Sequence, residues 1–519
     1  MTRLDALLST AAKLYPERPA LAAEGRTWTY AELEQLVEEL SWQLSAAGIR
    51  TGDRIGVYAG KGSSAVMAIY AGLRAGAVVA PMDVADPPAR TARMVHNAGL
   101  SVLLTVDRSL GACREAAELA TEGVDLGSGE LDCGLNWVRT IAEADRPEAL
   151  PAPTDQGGYI LFTSGSTGWP KGVLLSHENV AHYALWAAEE FGLTERDRIG
   201  SQAALTFDLT TFDLYSAASA GACAVLMPDV LRAFPRDVVN WLNDNQITAF
   251  MAVPSLYHNM LLQGGFAESV PPTLRVAAFG GEAFAPRHLE RYLELLGDVP
   301  FYNLYGPTET NACTYYRMPA DWTAEQELTI GRGIGGVTIE VLDEDGRPTD
   351  GEGEIVVGGP TVFQGYLERG VLRDPTALVA FRDGSVQRAY FSGDIGRITA
   401  DGLVYLRGRR DSQVKRRGHR IDLLDVESAV LELPGVATAA VVAKQGEHSG
   451  QFWAYVQTGS TEAEVLTALG AALPKRMLPD RVVVLPSLPT TTSGKVDRRA
   501  LGGEFPAAPT TTSTEEIPV

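Results

Sequence analysis

The stretch DRIGVYAGKGSSAVMAIYAGLRAGAVVAPMD, residues 53–83, indicates the fold class of the chain. An apolar strand pattern over 53–60 is followed by helical spacing over 63–76 and by a second apolar strand pattern over 77–83. The alternation continues with a helix pattern in ARTARMVHNAG and a strand pattern in SVLLTV. Strands that alternate with helices predict an α/β domain with mostly parallel strands.

The pattern changes from about residue 328. Short strands separated by Asp-Gly and Gly-Glu-Gly turns over 338–359 predict an antiparallel region, and residues 412–500 have the pattern of a small α+β unit. The Pro- and Thr-rich tail has the composition of a disordered segment. We therefore predict an N-terminal core over 1–410, a C-terminal lid domain over 411–501 and a disordered tail over 502–519.

Composition excludes several classes of function. The 519 residues carry a net charge of −21, which disfavours nucleic acid and anionic membranes as partners. The chain shows no signal peptide and no apolar run long enough for a membrane span, so we expect a cytoplasmic protein. The four cysteines form no C-x-x-C pair and predict reduced structural thiols rather than a zinc or redox site; they are Cys113, Cys133, Cys223 and Cys313.

The stretch FTSGSTGWPKG, residues 162–172, combines glycines, hydroxyl side chains and a lysine after an apolar strand. It is not a Walker loop, because Pro170 stands where the second glycine is needed and Gly172 follows the lysine. The composition still suits anion binding, since glycines let backbone N–H groups converge and Lys171 adds charge. A plain flexible loop is the alternative.

Three further segments carry polar groups suited to a nucleotide. In YGPTE (305–309), Tyr305 could stack on a purine and Glu309 could ligate Mg²⁺. In YFSGDIGR (390–397), Asp394 could accept two ribose hydroxyls. By themselves both segments could equally be solvated turns. The basic run over 408–420 suits a phosphate ligand or an acidic partner, and GRGIGG (331–336) precedes a strand pattern and so is no dinucleotide fingerprint.

Taken in this order, the segments resemble the adenylate-forming superfamily, and within it the amino-acid adenylation domains of nonribosomal peptide synthesis. The motifs that carry the resemblance are WTYAEL, LRAGAVVAPMD, FTSGSTGWPKG, FDLT, FGGEAF, NLYGPTE, GEIVVGG, YFSGDIGR, GRRDSQVKRRGHRIDLLDVE and TTTSGKVDR. The resemblance implies a large N-terminal domain with layered, mostly parallel sheets and a small β-barrel-like subdomain, followed by a small mobile α+β domain. It also implies a ligase that converts an amino acid and ATP·Mg²⁺ into an aminoacyl-AMP, then transfers the aminoacyl group to a carrier-protein pantetheine thiol.

The resemblance assigns roles to individual residues. Lys495, Thr163 and Glu309 are the expected catalytic residues, with Glu309 also holding the metal ion and Asp411 acting as hinge. The expected nucleotide contacts are Thr163, Ser164, Gly165, Ser166, Thr167, Lys171, Gly281, Glu282, Asn303, Tyr305, Gly306, Thr308, Asp394 and Arg409.

Asp208 aligns with the aspartate that pairs with a substrate α-amino group, which favours an amino acid over an aryl or fatty acid. The resemblance also implies that Lys495 contacts the substrate carboxylate. The remaining pocket positions, by alignment, are uncharged: Leu209, Phe212, Met251, Ala278, Gly280, Leu304, Ala312 and Cys313. We predict a small neutral L-amino acid, with alanine first and glycine, serine, 2-aminobutyrate, proline or a β-amino acid as alternatives. The chain resembles a free-standing enzyme that loads a separate carrier protein; a non-catalytic binding protein and an acyl-CoA ligase are the competing hypotheses.

Overall fold

The computed structural model describes residues 2–148, 150–154, 157–163, 169–410, 413–444, 450–489 and 496–502. The helices, numbered in chain order, are α1 Leu4–Leu14, α2 Tyr30–Ala46, α3 Ser63–Arg74, α4 Pro88–Ala98, α5 Leu110–Ala120, α6 His177–Glu190, α7 Ala217–Ala220, α8 Pro235–Asp244, α9 Pro254–Leu262, α10 Pro286–Leu296, α11 Leu423–Leu431, α12 Glu462–Ala472 and α13 Arg498–Gly502. A single π-helical turn covers Phe212–Ser216.

The strands, numbered in the same way, are β1 Pro19–Ala23, β2 Arg26–Thr29, β3 Arg54–Tyr58, β4 Val78–Met82, β5 Val102–Val106, β6 Ser128–Leu131, β7 Leu135–Arg139, β8 Gly158–Thr163, β9 Lys171–Ser176, β10 Arg198–Ser201, β11 Cys223–Leu226, β12 Ala249–Ala252, β13 Val276–Gly280, β14 Phe301–Tyr305, β15 Thr314–Arg317, β16 Arg332–Gly333, β17 Thr338–Leu342, β18 Gly353–Gly358, β19 Gly365–Glu368, β20 Val371–Arg373, β21 Ala377–Ala380, β22 Val386–Ile398, β23 Val404–Arg409, β24 Gln413–Arg416, β25 His419–Asp422, β26 Val436–Ala443, β27 Phe452–Thr458 and β28 Arg481–Val484.

The described chain divides into two compact units, a large one that extends to residue 410 and includes 417–419, and a small one that holds 169, 413–416 and the residues from 420 onwards. The large unit contains two nine-stranded sheets, in the orders β16-β15-β14-β13-β12-β10-β11-β1-β2 and β20-β19-β9-β8-β4-β3-β5-β7-β6. Their central strands are parallel and their edge strands antiparallel, so the parallel pattern predicted from the sequence is confirmed for the middle of each sheet.

Helices α3 and α6 lie between the two sheets and share one core with both. Helix α3 is buried from Ala65 to Leu73, which explains why its sequence is apolar on every side. Helices α8, α9 and α10 cover the outer face of the first sheet, and α4 and α5 cover the outer face of the second. The resulting layers of helices and sheets match the predicted α/β class.

A third, antiparallel sheet of β17, β18, β22, β21 and β23 forms the predicted β-barrel-like subdomain. The G-x-G-x-x-G match at 331–336 contains β16 and leads into β17, so it opens no helix. The predicted antiparallel region beyond residue 328 is therefore confirmed. In the part of the chain that the structure describes, no helix is both long and apolar enough to cross a membrane.

The small unit has an α+β fold of its own. Strands β26, β27 and β28 form its sheet, α11 and α12 pack on one face, and Leu501 of α13 packs on the other. A capping box at Thr461 starts α12, because the Thr461 hydroxyl accepts from the backbone N–H of Glu464 while the Glu464 carboxylate accepts in return. The predicted domain limits, 1–410 and 411–501, stay predictions, as does the hinge at Asp411. The structure does not describe Asp411 or any residue after 502.

Candidate active site

The β8–β9 hairpin places two of the predicted phosphate contacts opposite each other. Thr163 ends β8, Lys171 starts β9, and the two residues are cross-strand partners. The Lys171 ammonium lies 5.2 Å from the centre of the Tyr366 ring and 3.5 Å from the Glu368 carboxylate. The loop between the strands lies outside the described residues, including the predicted contacts Ser164, Gly165, Ser166 and Thr167.

Glu309, the predicted metal ligand, has a side chain that is buried beside the same tyrosine. The Tyr366 hydroxyl donates to Glu309 Oε1 over 2.6 Å and lies 3.2 Å from the Tyr390 hydroxyl. Burial, reinforced by Glu309, raises the pKa of Tyr366, so this hydroxyl keeps its proton. Tyr366 therefore links Lys171 to Glu309. Nothing in the local sequence singles it out, because it reaches the site only through the pairing of β19 with β9.

Tyr305, Asp394 and Arg409 form one buried network. The Tyr305 hydroxyl donates to Asp394 Oδ2 over 2.5 Å, and Arg409 Nη1 donates to Asp394 Oδ1 over 2.5 Å. Burial and the Asp394 carboxylate raise the pKa of Tyr305 well above its usual range. Asp394 and Arg409 are cross-strand partners in β22 and β23, which fixes the pair. The structure thus unites the residue assigned to adenine with the two assigned to ribose.

The other predicted nucleotide contacts lie at the carboxyl ends of β13 and β14, which are parallel neighbours. Gly281 and Glu282 follow β13, and the Glu282 carboxylate accepts from the backbone N–H of Ser255 over 3.1 Å. Asn303 is used differently, because its buried amide donates to the Thr329 carbonyl oxygen over 2.8 Å. This edge of a parallel sheet is where α/β proteins commonly bind ligands.

The turn after β14 requires glycine at position 306. A Cβ atom on Gly306 would lie 1.6 Å from the Asn311 carbonyl oxygen, far inside van der Waals contact. Asn311 itself has a left-handed backbone with φ of 53°. The close approach folds the loop back on itself and positions Thr308 and Glu309 beside the end of the strand.

The predicted amino-acid pocket is brought together by adjacent strands. Met251 pairs with Ala278, and Gly280 pairs with Leu304, so their side chains or Cα atoms lie on one face of the first sheet. The residues of the predicted set that share one buried apolar cluster are Leu209, Phe212, Met251, Ala278, Leu304 and Cys313, with Ala312 packed against it. Pairing within the sheet explains why positions separated by more than fifty residues in sequence form one surface.

Asp208 lies just before the buried π-helical turn and is half-buried. Its carbonyl oxygen accepts from the Thr211 hydroxyl over 2.6 Å, and Thr211 accepts from the Asn311 amide over 3.0 Å. The Asn311 side chain also accepts from the backbone N–H of Ala312 over 2.9 Å. Thr211 and Asn311 therefore join the segment that carries Asp208 to the loop that carries Glu309. The sequence analysis missed both residues, because their contact is long-range.

Another buried carboxylate, Asp213, lies on the π-helical turn next to Phe212 of the predicted pocket. Burial raises the pKa of Asp213 to about 7, against the opposing effect of Lys61, and lowers the pKa of Lys61 to about 8. Lys61 donates to the carbonyl oxygens of Ser201 and Gln202 over 3.1 and 3.0 Å. The Gln202 amide in turn donates to the Met251 carbonyl oxygen over 3.4 Å, so these polar groups contact a strand that carries one of the predicted pocket residues.

The chemistry of the donor set fits Mg²⁺ bound together with a nucleotide. Glu309 supplies a buried carboxylate oxygen, which is the ligand type that Mg²⁺ prefers. Among the described residues no group of three or more histidine, cysteine, aspartate and glutamate side chains could hold a metal by itself. A single protein carboxylate is consistent with an ion that keeps waters and binds substrate phosphates.

Comparison with known proteins identifies the family. A family model described as AMP-binding enzyme matches residues 8–367, and one described as AMP-binding enzyme C-terminal domain matches residues 425–495. The chain belongs to the AMP-binding enzyme family. This AMP-binding enzyme is therefore an adenylation enzyme of the adenylate-forming superfamily, as the ordered motifs predicted, and it is a ligase.

Two relatives of the AMP-binding enzyme are L-proline:L-prolyl-carrier protein ligases. The one from Pseudomonas fluorescens is 33% identical over 94% of this chain and 96% of its own length. The one from Streptomyces coelicolor is 34% identical over 93% of each chain. The crystal structure of IdnL1 is 26% identical, has a TM-score of 0.77, and is matched over 94% of this chain and 99% of its own. These matches confirm the predicted fold, including the small C-terminal domain.

Proposed function

We propose that this enzyme activates a small neutral L-amino acid with ATP and transfers it to the phosphopantetheine thiol of a separate carrier protein in natural-product biosynthesis. One observation carries the proposal. Phe212, Met251 and Leu304 lie in one uncharged, buried cluster, and the chain segment that holds Asp208 leads directly into this cluster. Two relatives with nearly the same length are ligases that act on a free amino acid and a carrier protein. Both features suit an amino-acid:carrier protein ligase.

In the first half-reaction, an oxygen of the amino-acid carboxylate forms a bond to the α-phosphorus of ATP. The bond from that phosphorus to the bridging oxygen of pyrophosphate breaks, and pyrophosphate leaves with the electron pair. Thr163 and Lys171 hold the leaving phosphates, and Tyr305, Asp394 and Arg409 hold the nucleoside. Lys495, outside the described residues, supplies a fixed cation to the charge that develops at the carboxylate and α-phosphate. Glu309 would hold Mg²⁺, which would neutralise phosphate charge when bound.

In the second half-reaction, the pantetheine sulfur forms a thioester bond with the acyl carbon, the bond from that carbon to AMP breaks, and the thiol proton is released. Asp208 orients the substrate through its α-ammonium group in both half-reactions, because a partly buried carboxylate is stabilised by a cationic partner. The thioester leaves on the carrier protein.

For the side chain of the substrate we propose alanine first, with proline as the main competitor. Phe212, Met251 and Leu304 are bulky and almost fully buried, so they leave room only for a short side chain. The names of the two carrier-protein ligases favour proline as the competitor. Because an apolar pocket discriminates by only about 1–3 kcal/mol per methylene, glycine, serine and 2-aminobutyrate should give weaker activity, and β-amino acids weaker still.

The test is amino-acid-dependent pyrophosphate release with hydroxylamine present to trap the adenylate, across the proteinogenic and several β-amino acids. A maximum at alanine or proline supports the proposal, whereas a maximum with a charged or large aromatic amino acid contradicts the pocket assignment. Transfer is then measured as thioester formation on a phosphopantetheinylated carrier protein. Absence of amino-acid-dependent release with every amino acid would favour the non-catalytic binding protein.

Two variants separate the proposal from its competitors. Lys495→Ala should remove adenylate formation and spare ATP binding. If the chain were a non-catalytic binding protein, wild type and Lys495→Ala would show no difference in adenylate formation. Asp208→Ala should raise the KM for the amino acid strongly, since the α-ammonium group loses its anion. An acyl-CoA ligase would instead keep its activity in Asp208→Ala.

A further inference from the structure

Met251, one of the predicted pocket residues, is fixed through its backbone. It lies in β12, and its side chain faces the core that this strand shares with α6. The register of β10 with β12 ends at Gly200 and Phe250. The buried Gln202 amide then donates to the next carbonyl oxygen along β12, that of Met251, over 3.4 Å. Gln202 and the pairing with Ala278 therefore hold the Met251 backbone from two neighbouring strands.

The side chain of Met251 has more freedom than its backbone. A methionine side chain is unbranched and turns about three bonds, so burial alone does not fix its conformation. Its sulfur accepts a hydrogen bond from the hydroxyl of Tyr183 on α6, with 3.6 Å between the two atoms. Tyr183 is fully buried, and Met251 is 4% exposed. The Tyr183 hydroxyl is therefore a polar contact that orients the thioether.

The ring of Tyr183 is itself held in place. Its centre lies 6.2 Å from that of Trp186, one helical turn further along α6. The Trp186 ring in turn contacts that of Tyr315, with 4.8 Å between the ring centres, and Tyr315 is the cross-strand partner of Leu304 in the predicted pocket. Removing only the Tyr183 hydroxyl should therefore free the methionine side chain without moving the helix.

The Tyr183 hydroxyl is explained by the methionine that it contacts. Among the described residues, the Met251 sulfur is its only hydrogen-bond partner. A thioether is a weak acceptor and burying a hydroxyl is costly, whereas a phenylalanine would fill the same space without that cost. Burial raises the pKa of Tyr183, and the carboxylates of Asp213 and Asp208 add to this rise, so the hydroxyl keeps its proton and is the donor. Tyr183 is thus also within electrostatic range of Asp208, to which we assign the substrate α-ammonium group.

We propose that Tyr183 is a positioning residue for Met251 and thereby determines which amino-acid side chains the pocket accepts. The inference rests on the proposed function and on the assignment of Met251 to the pocket wall. While Tyr183 holds the sulfur, the methionine side chain keeps the pocket short. Without the hydroxyl the thioether can turn aside, because its three bonds rotate freely, and the pocket lengthens.

The test is Tyr183→Phe in the full chain, with kcat/KM measured as amino-acid-dependent pyrophosphate release for glycine, alanine, 2-aminobutyrate, norvaline and proline. One methylene changes kcat/KM by about ten- to two-hundredfold in an apolar pocket. We expect Tyr183→Phe to lower the ratio of kcat/KM for the preferred amino acid to that for norvaline by about five- to tenfold, through a lower KM for norvaline. The KM for ATP should not change. An unchanged ratio, or an equal loss with every amino acid, would overturn the proposal.

Tyr292→Phe is the matched control. Tyr292 is also fully buried, and its hydroxyl donates to the Tyr257 carbonyl oxygen over 2.6 Å, but it lies on α10 at the outer face of the first sheet. Because a carbonyl oxygen is a stronger acceptor than a thioether, this variant should lower the free energy of unfolding at least as much as Tyr183→Phe. It should leave the kcat/KM ratio unchanged. A shift of the ratio as large as in Tyr183→Phe would show that general loosening is responsible and would overturn the proposal.

A double variant tests whether Tyr183 acts through the sulfur. Met251→Leu removes the sulfur, keeps about the same side-chain volume and should itself shift the ratio. Adding Tyr183→Phe to Met251→Leu should then cause no further change. A further change would show that Tyr183 acts on the substrate by another route and would overturn the positioning role.

The same measurements separate failure of this inference from failure of the proposed function. An unchanged ratio in Met251→Leu alone would show that Met251 does not line the pocket. That result would overturn the inference and leave amino-acid adenylation intact. Absence of amino-acid-dependent pyrophosphate release in the wild-type enzyme would instead refute the proposed function and, with it, the inference.

Discussion

Asp394→Asn is the most direct test of the proposed contact between Asp394 and the ribose. The substitution keeps the shape of the side chain but removes the charge that Tyr305 and Arg409 hold in place. A hydrogen bond to a charged group contributes about 1.5–3 kcal/mol and a neutral one about 0.5–1.5 kcal/mol, so each ribose hydroxyl loses about 1 kcal/mol. Two hydroxyls lose about 2 kcal/mol, which corresponds to about a thirtyfold lower kcat/KM for ATP.

The assay is amino-acid-dependent pyrophosphate release with ATP and with an ATP analogue that lacks both ribose hydroxyls. Wild-type enzyme should lose more activity with the analogue than Asp394→Asn does, because the variant has only neutral hydrogen bonds to the hydroxyls to lose. Glu340→Gln is the matched control, because Glu340 is a fully buried carboxylate paired with Arg382 in the same antiparallel sheet. It should cost stability and leave kcat/KM for ATP unchanged.

An equal loss with ATP and with the analogue would refute the reasoning. The carboxylate would then act only by holding Tyr305 and Arg409, without touching the ribose. Equal impairment in Glu340→Gln would likewise show that the effect is a general loss of stability in this sheet.

Three further predictions concern stability, and thermal unfolding checks each of them. Gly306→Ala should lower the melting temperature sharply, because the added Cβ would lie 1.6 Å from the Asn311 carbonyl oxygen. Gly111→Ala in α5 is the control: its added Cβ meets open space, so this substitution should raise the free energy of unfolding by about 0.5–1 kcal/mol. Burial raises the pKa of Asp213 to about 7, so the folded state keeps a proton that the unfolded chain loses near pH 4. The stability of the fold therefore falls as the pH rises between these two values, and Asp213→Asn should remove that fall. Burial, together with the nearby imidazole of His288, lowers the pKa of His258. The contribution of His258 to the stability of the fold is therefore present above about pH 6.5 and is lost as the pH falls below that value. His258→Gln should flatten this pH dependence. A pH profile unchanged by either polar substitution would contradict the respective assignment.

The sequence by itself determined the class of the fold and the family. Alternating strand and helix patterns gave the parallel centres of both large sheets, because the hydrophobic period follows directly from which faces are buried. The chemical motifs could be recognised because each one is a local segment with its own turn or strand. GRGIGG was rightly excluded as a dinucleotide site, since a strand follows it rather than a helix.

Only the tertiary structure decided which side chains meet. Tyr366 contacts Glu309 because β19 joins the sheet beside β9, and Thr211 meets Asn311 although one hundred positions separate them in sequence. Lys444 reaches the Leu501 carbonyl oxygen, 57 positions away in sequence, in the same way. Such contacts depend on sheet order and packing. The local hydrophobic period and the spacing of motifs contain no information about either. The sequence therefore determined the chemical groups, and the tertiary structure decided their partners.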